Sequence, residues 1–183
     1  AGFNVEDIPV GPAEEPKPDP AALSGQPETG MTREIYAGFE RNSSLFGGYV
    51  GNREYYQGPK MEIFYNDPGD RQNQFIYLHG LWINNLESLR HGRETQNFED
   101  YIALKFYATS VNAVVGSEGN VPFKVLVTLD AKPLDQAVKG ADIAYDETGN
   151  SFIVVNEPKM YRLVERAEFA GHEMRLSSNS PAF

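Results

Sequence analysis

Apolar and polar residues alternate with period two through much of the second half of the chain. In Tyr101–Tyr107, Ile102, Leu104 and Phe106 alternate with Ala103 and Lys105. In Val121–Leu129, the residues Val121, Phe123, Val125, Val127 and Leu129 all fall on one face. Such alternation sets one side of a strand on a core and the other toward solvent, as in an antiparallel sheet. Further strands are expected at Met61–Tyr65, Phe75–Ile83, Ser151–Val155, Met160–Glu165 and His172–Leu176, with a short one at Glu34–Gly38. Turn chemistry separates them at Asp67-Pro68-Gly69-Asp70, Asp130-Ala131-Lys132-Pro133 and Asp146-Glu147-Thr148-Gly149-Asn150. Residues 84–100 have only a sparse apolar pattern and read as a long loop or a single helical turn. Short strands at this spacing, with Gly- and Pro-bearing turns, predict an all-β fold: an antiparallel β-sandwich or jelly roll.

The first thirty residues have a different texture. They carry six of the twelve prolines, concentrated in Glu14-Glu15-Pro16-Lys17-Pro18-Asp19-Pro20. Proline lacks a ladder donor and biases its neighbours to extended forms, so residues 1–30 read as a stiff acidic linker. The competing reading lays Phe3, Val5, Ile8 and Val10 along the domain as an added edge strand. Residues 31–183 are then the β-sandwich module. The chain starts with Ala1 and shows no charged-then-apolar leader, so it is expected to be processed or cut from something longer.

Composition narrows the chemistry. A chain of 183 residues with an apolar fraction of 40% and an aromatic fraction of 12% can bury a real core. Its longest apolar stretches fall far short of the roughly 20 residues that span a bilayer. Cysteine is absent, which removes disulfides, thiolate nucleophiles and Cys-type zinc sites together. Net charge is −10, with no basic stripe in the sequence, so phosphate backbones and anionic lipid surfaces are repelled.

Candidate chemistry is thin. His79, His91 and His172 have no metal-ligand spacing with one another. In an alternating strand Tyr77, His79 and Leu81 share one face, and Leu78, Gly80 and Trp82 the other. Trp82 then reads first as a core residue beside a glycine that makes room for it, and second as a sugar platform. Aromatic rings hold the C–H faces of sugars while amides, carboxylates and Arg bond the hydroxyls. On that basis the ligand-binding candidates are Tyr55, Tyr65, Asn66, His79 and Trp82, against the ordinary reading that the tyrosines line the core. Oxygen-rich turns offer calcium candidates at Asp67 and Asp70, and at Asp142 and Asp146, although neither has EF-hand spacing and turns favour Asp for backbone reasons alone. No carboxylate pair or nucleophile motif stands out, so no catalytic residue is assigned.

The order of these segments carries a family resemblance. Glu34-Ile35-Tyr36-Ala37-Gly38 is followed by Leu78-His79-Gly80-Leu81-Trp82, Ile102-Ala103-Leu104-Lys105-Phe106-Tyr107-Ala108, Val125-Leu126-Val127-Thr128-Leu129-Asp130 and Glu157-Pro158-Lys159-Met160-Tyr161-Arg162-Leu163-Val164. From Thr32 to Phe183 this resembles the C-terminal β-sandwich module of bacterial thioredoxin-like proteins of the DipZ and redoxin type. Ala131 stands where that family usually has Gly, and Lys159-Met160 where it has Arg-Leu. The family's closing aromatic strand would lie beyond Phe183, where Ser180-Pro181-Ala182-Phe183 reads as a turn leading into one. The resemblance implies a non-catalytic accessory module, similar to carbohydrate-binding modules, beside a thioredoxin-like domain that does the redox chemistry. It implies a glycan or that redox domain as partner, and a place outside the cytoplasm. A purely structural docking domain and a sugar-binding module of a secreted hydrolase are the alternatives.

Overall fold

The computed structural model describes residues 31–42, 48–117, 119 and 121–183, so the Pro-rich extension lies outside the described residues. Nine strands form: β1 (Glu62–Tyr65), β2 (Ile76–Asn84), β3 (Leu89–His91), β4 (Tyr101–Val115), β5 (Phe123–Leu129), β6 (Lys132–Pro133), β7 (Ala144–Tyr145), β8 (Ser151–Val155) and β9 (Lys159–Ser178). They pair antiparallel in the order β1-β2-β4-β9-β5-β8-β7, with β3 on β2 and β6 on β5. Two short 3-10 turns lie at Phe39–Asn42 and Arg53–Gln57. The fold is an all-β sandwich, as the alternation predicts.

Three local expectations are corrected. Glu34–Gly38 is extended but pairs with no strand among the described residues, its apolar Ile35 and Ala37 packing directly on the core. Residues 84–100 hold β3 rather than a helical turn. Met160–Glu165 and His172–Leu176 are the two ends of one 20-residue strand, β9.

That continuity depends on bulges. β9 pairs with β4 from Tyr101↔Ser177 to Val115↔Lys159, with register shifts between Ala108 and Ser110 and between Val111 and Asn112. At the second shift Val111 faces Val164 while Asn112 faces Arg162, which leaves Leu163 as the extra residue. A bulge of this kind bends the strand and breaks its alternation. Leu163 and Val164 are consequently both buried, in succession. Val111, Tyr161, Leu163 and Val164 thereby join the same core as Val125, Val127, Ile153 and Val155. One core serves both layers.

The outer face of β4 is not all solvated. Ala103 is fully buried against Phe75 and Tyr77, with Tyr101 packed beside them. The turn at residues 67–72 is fastened over this face: Tyr101 donates to Asp67 at 2.9 Å, and the backbone N–H of Gln72 donates to the Tyr77 hydroxyl at 3.0 Å. Arg71 reaches across to Glu173 on β9 at 2.5 Å and also grips Asp67.

Two places with positive φ constrain this surface, one inside β2 and one in the β5–β6 turn. Gly80 has φ +92°, and a Cβ there would overlap the Asp100 carboxylate, so glycine is required. Asp130 and Ala131, at φ +50° and +62°, form the two-residue turn between β5 and β6. Both residues at positive φ is the hairpin turn whose twist matches the strands. Alanine is strained there, at the position where the resembling family carries Gly. Ala131→Gly is expected to stabilise the fold by about 1 kcal/mol; urea unfolding checks this as a higher midpoint at unchanged slope.

Candidate functional site

Register places a transverse row of side chains on the outer face. His79 pairs with Tyr101, Tyr101 with Ser177, Ser177 with Leu126, and Leu126 with Phe152. Because these positions lie directly opposite one another, they share a face and cross five strands, from β2 to β8. Phe64 on β1 extends the row, its ring edge-on to His79 at 6.2 Å, and His79 stacks on Tyr101 at 5.0 Å. Phe64 is half exposed, and His79, Tyr101 and Phe152 are partly exposed.

A cation sits over each phenyl or phenol ring of the row. Arg93 lies over Phe64 at 5.3 Å, Arg175 over Tyr101 at 4.7 Å and Lys124 over Phe152 at 4.0 Å. Arg93 is fixed by two bonds to Asp100, at 2.8 and 2.6 Å. Asp100 is buried and also accepts from the Leu81 N–H at 3.0 Å, with His91 Nε2 at 3.0 Å on the same oxygen. Burial alone would raise its pKa. The bonds from Arg93, Leu81 and His91 outweigh that and hold it at about 2. Arg175 is fixed by Glu173 at 3.2 Å. Asp67 is treated likewise: burial opposes ionisation, but Arg71, the Gly69 N–H and Tyr101 keep its pKa below the usual range.

Beside the row lies an open groove of about 290 Å³, between Gly69–Arg71 and the β5–β6 turn. Lys105, Asp130, His172 and Glu173 line it with mixed charge. His172 Nδ1 is 2.6 Å from Asp130, and Arg166 faces its other ring nitrogen. An Asp–His pair orients a base in hydrolases, but no Ser, Thr or Cys lines this groove to act as nucleophile.

The residues expected to contact a ligand are divided by the structure. His79 is on the row, and Asn66 is exposed at the end of β1. Tyr55, Tyr65 and Trp82 are fully buried and present no face to a sugar, which corrects their assignment. The cause is strand polarity and loop packing. Trp82 points inward against His91 and Phe183, its Nε1–H donating to the His79 carbonyl at 2.8 Å. Tyr65 pairs with Gly80 on the core side, and the 3-10 turn carries Tyr55 under Phe39, its hydroxyl donating to the Ala37 carbonyl at 2.7 Å. Phe64, Tyr101, Phe152 and the three cations were not expected. Their outward alternation is in the sequence; their adjacency depends on register.

The calcium candidates are engaged by the protein itself. Asp67 is held by Arg71 and Tyr101, and Asp142 by Lys159 at 3.2 Å and the Arg162 N–H at 2.8 Å. Asp146 caps its own turn, accepting from Thr148 and Asn150, and these bonds hold its pKa at about 2. Exposed Asp70 has no metal-ligating company: no cluster of three or more such residues occurs among the described residues.

Residues 32–183, the whole of the sandwich, match the protein family described as thioredoxin-like C-terminal domain. The chain belongs to this family. No curated protein matches it. A thioredoxin-like C-terminal domain is an accessory domain of a thioredoxin-like protein, and this one has no cysteine of its own for thiol–disulfide exchange. No helix among its described residues is long and apolar enough to cross a membrane.

Two measurements test this account of the domain. Tyr65 has the single buried side-chain polar atom without a hydrogen-bond partner among the described residues. Tyr65→Phe should therefore leave stability unchanged or raise it by up to about 1 kcal/mol, whereas a loss of that size by chemical denaturation would mean the hydroxyl has a partner. Asp100 has a folded pKa near 2 against 3.8 for a free carboxyl, so its contribution is full above about pH 4 and is lost as pH falls through 2. Asp100→Asn should cost about 3–5 kcal/mol at neutral pH and flatten the acid limb of the unfolding curve.

Proposed function

We propose that this accessory domain is non-catalytic and binds a glycan chain laid across the strands of its outer face. The row Phe64, His79, Tyr101, Ser177, Leu126 and Phe152 carries this reading. Aromatic rings at both ends supply surfaces for sugar C–H faces, and Ser177 and the arginines between them supply bonds to hydroxyls. From His79 to Phe152 the row crosses four strand intervals, about 19 Å at about 4.8 Å per interval, so it suits a chain better than a single sugar. The thioredoxin-like domain of the parent protein would perform the redox chemistry while this domain holds it on a glycan, outside the cytoplasm as the resemblance to DipZ-type proteins implies.

A second reading, docking on that redox domain, is favoured by one feature. The chain joins the sheet at Thr32, whose backbone N–H donates to Tyr107. Tyr107 stacks on half-exposed Phe169 at 5.9 Å, with Met31 also exposed beside this junction.

Titration calorimetry against a panel of oligosaccharides separates the two readings. Phe64→Ala and Phe152→Ala should each weaken glycan binding by about tenfold while leaving the melting temperature within a few degrees. Absence of binding across the panel, or binding untouched by both substitutions, would exclude this face as the glycan site. Loss of redox-domain association in Phe169→Ser would support docking instead.

A further inference from the structure

We infer that the glycan bound on this face is anionic, a carboxylate-bearing chain such as a polyuronate; this rests on the glycan reading above. The chain carries a net charge of −10. Yet each phenyl or phenol ring of the row bears a cation: Arg93 on Phe64, Arg175 on Tyr101 and Lys124 on Phe152. Arg93 and Arg175 are paired with Asp100 and Glu173, so what this face offers an anion is oriented guanidinium N–H groups and the Lys124 ammonium rather than a broad positive field.

The cations retain bonding capacity. Arg93 spends Nε and Nη2 on Asp100, and Arg175 spends Nε on Glu173. Their remaining N–H groups have no bond among the described residues, and guanidinium is suited to a carboxylate. Lys124 is exposed, with a flexible stem that can swing off the Phe152 ring. A uronate offers matching parts in each sugar unit: a C–H face for a ring, a carboxylate for the neighbouring cation and hydroxyls for Ser177 and for Thr128, which lies opposite Arg175 in the β5–β9 pairing. Single-stranded nucleic acid also combines charge with stacking surfaces. Its charge lies on the backbone, a sugar away from the stacking base, whereas here each cation lies 4.0–5.3 Å from its ring, within reach of a carboxylate carried on the stacked sugar itself.

The test is titration calorimetry of the chain with a short oligogalacturonate, a neutral cello-oligosaccharide of equal length and a single-stranded DNA oligonucleotide, at low and physiological salt. The uronate should bind about tenfold more tightly than the neutral sugar and weaken as salt rises. Lys124→Gln should weaken uronate binding about threefold without changing neutral-sugar binding, and Arg175→Gln should weaken uronate binding by more than it weakens neutral-sugar binding. Exposed Lys124 keeps the test usable should Arg175→Gln unsettle the fold. Equal or tighter binding of the neutral sugar would overturn the anionic assignment and leave the glycan reading standing. DNA binding as tight as uronate would overturn it in favour of bare charge. If no sugar binds, both readings fall.

Discussion

A buried carboxylate needs its full complement of donors, and Asp100 is where that requirement organises the molecule. It sits at the start of β4, with only 1% of its surface exposed. Its two oxygens engage the Leu81 backbone, His91 and Arg93. Each bond ties down a different part. Leu81 aligns β2, and Gly80 must lack a side chain for the approach to occur. His91 carries the connection onward through its Nδ1–H to the Ser180 carbonyl, while its backbone N–H meets the Phe183 carbonyl. Arg93 is left pointing outward over Phe64. A charge desolvated this far is stable only when all these partners are present. One group therefore couples the core, the chain's last residues and the outer row.

The strands were legible in the sequence because period-two alternation is a local property. Ile102, Leu104 and Phe106 announce β4, and Val125, Val127 and Leu129 announce β5, without knowledge of any neighbour. β9 was harder. The stretch Glu165-Arg166-Ala167-Glu168 looks like a break between two strands, although backbone pairing with β4 resumes at Ala170. Bulges hide in sequence because an inserted residue shifts the pattern as a loop does. Glu34–Gly38 failed in the opposite sense: its alternation is real, but no strand among the described residues pairs with it.

The outer row was illegible for a different reason. His79 and Tyr101 are separated by 22 positions, and Tyr101 and Ser177 by 76, yet they are direct neighbours. Which outward residue meets which is set by register across the sheet, and no short window contains it. The core tyrosines show the same limit, since Tyr65 and Phe64 are adjacent in sequence and differ only in the side of β1 they occupy. Buried polar pins were also unannounced. Asn52 accepts from the Leu78 N–H and donates to the Asn66 and Leu78 carbonyls, and Asn84 accepts from Met61 N–H and donates to the Tyr55 and Gly58 carbonyls. In the sequence both resemble ordinary surface amides.

Strand order has a consequence for how the molecule is made. β9 is the last strand in the chain and lies at the centre of the sheet, between β4 and β5. During synthesis β2, β4, β5 and β8 emerge with the position between them empty. The two halves of the sheet cannot be joined until β9 has left the ribosome, and the pairings then formed are long-range ones that nucleate slowly. The nascent domain therefore stays open until it is complete, with unpaired edges that attract other chains.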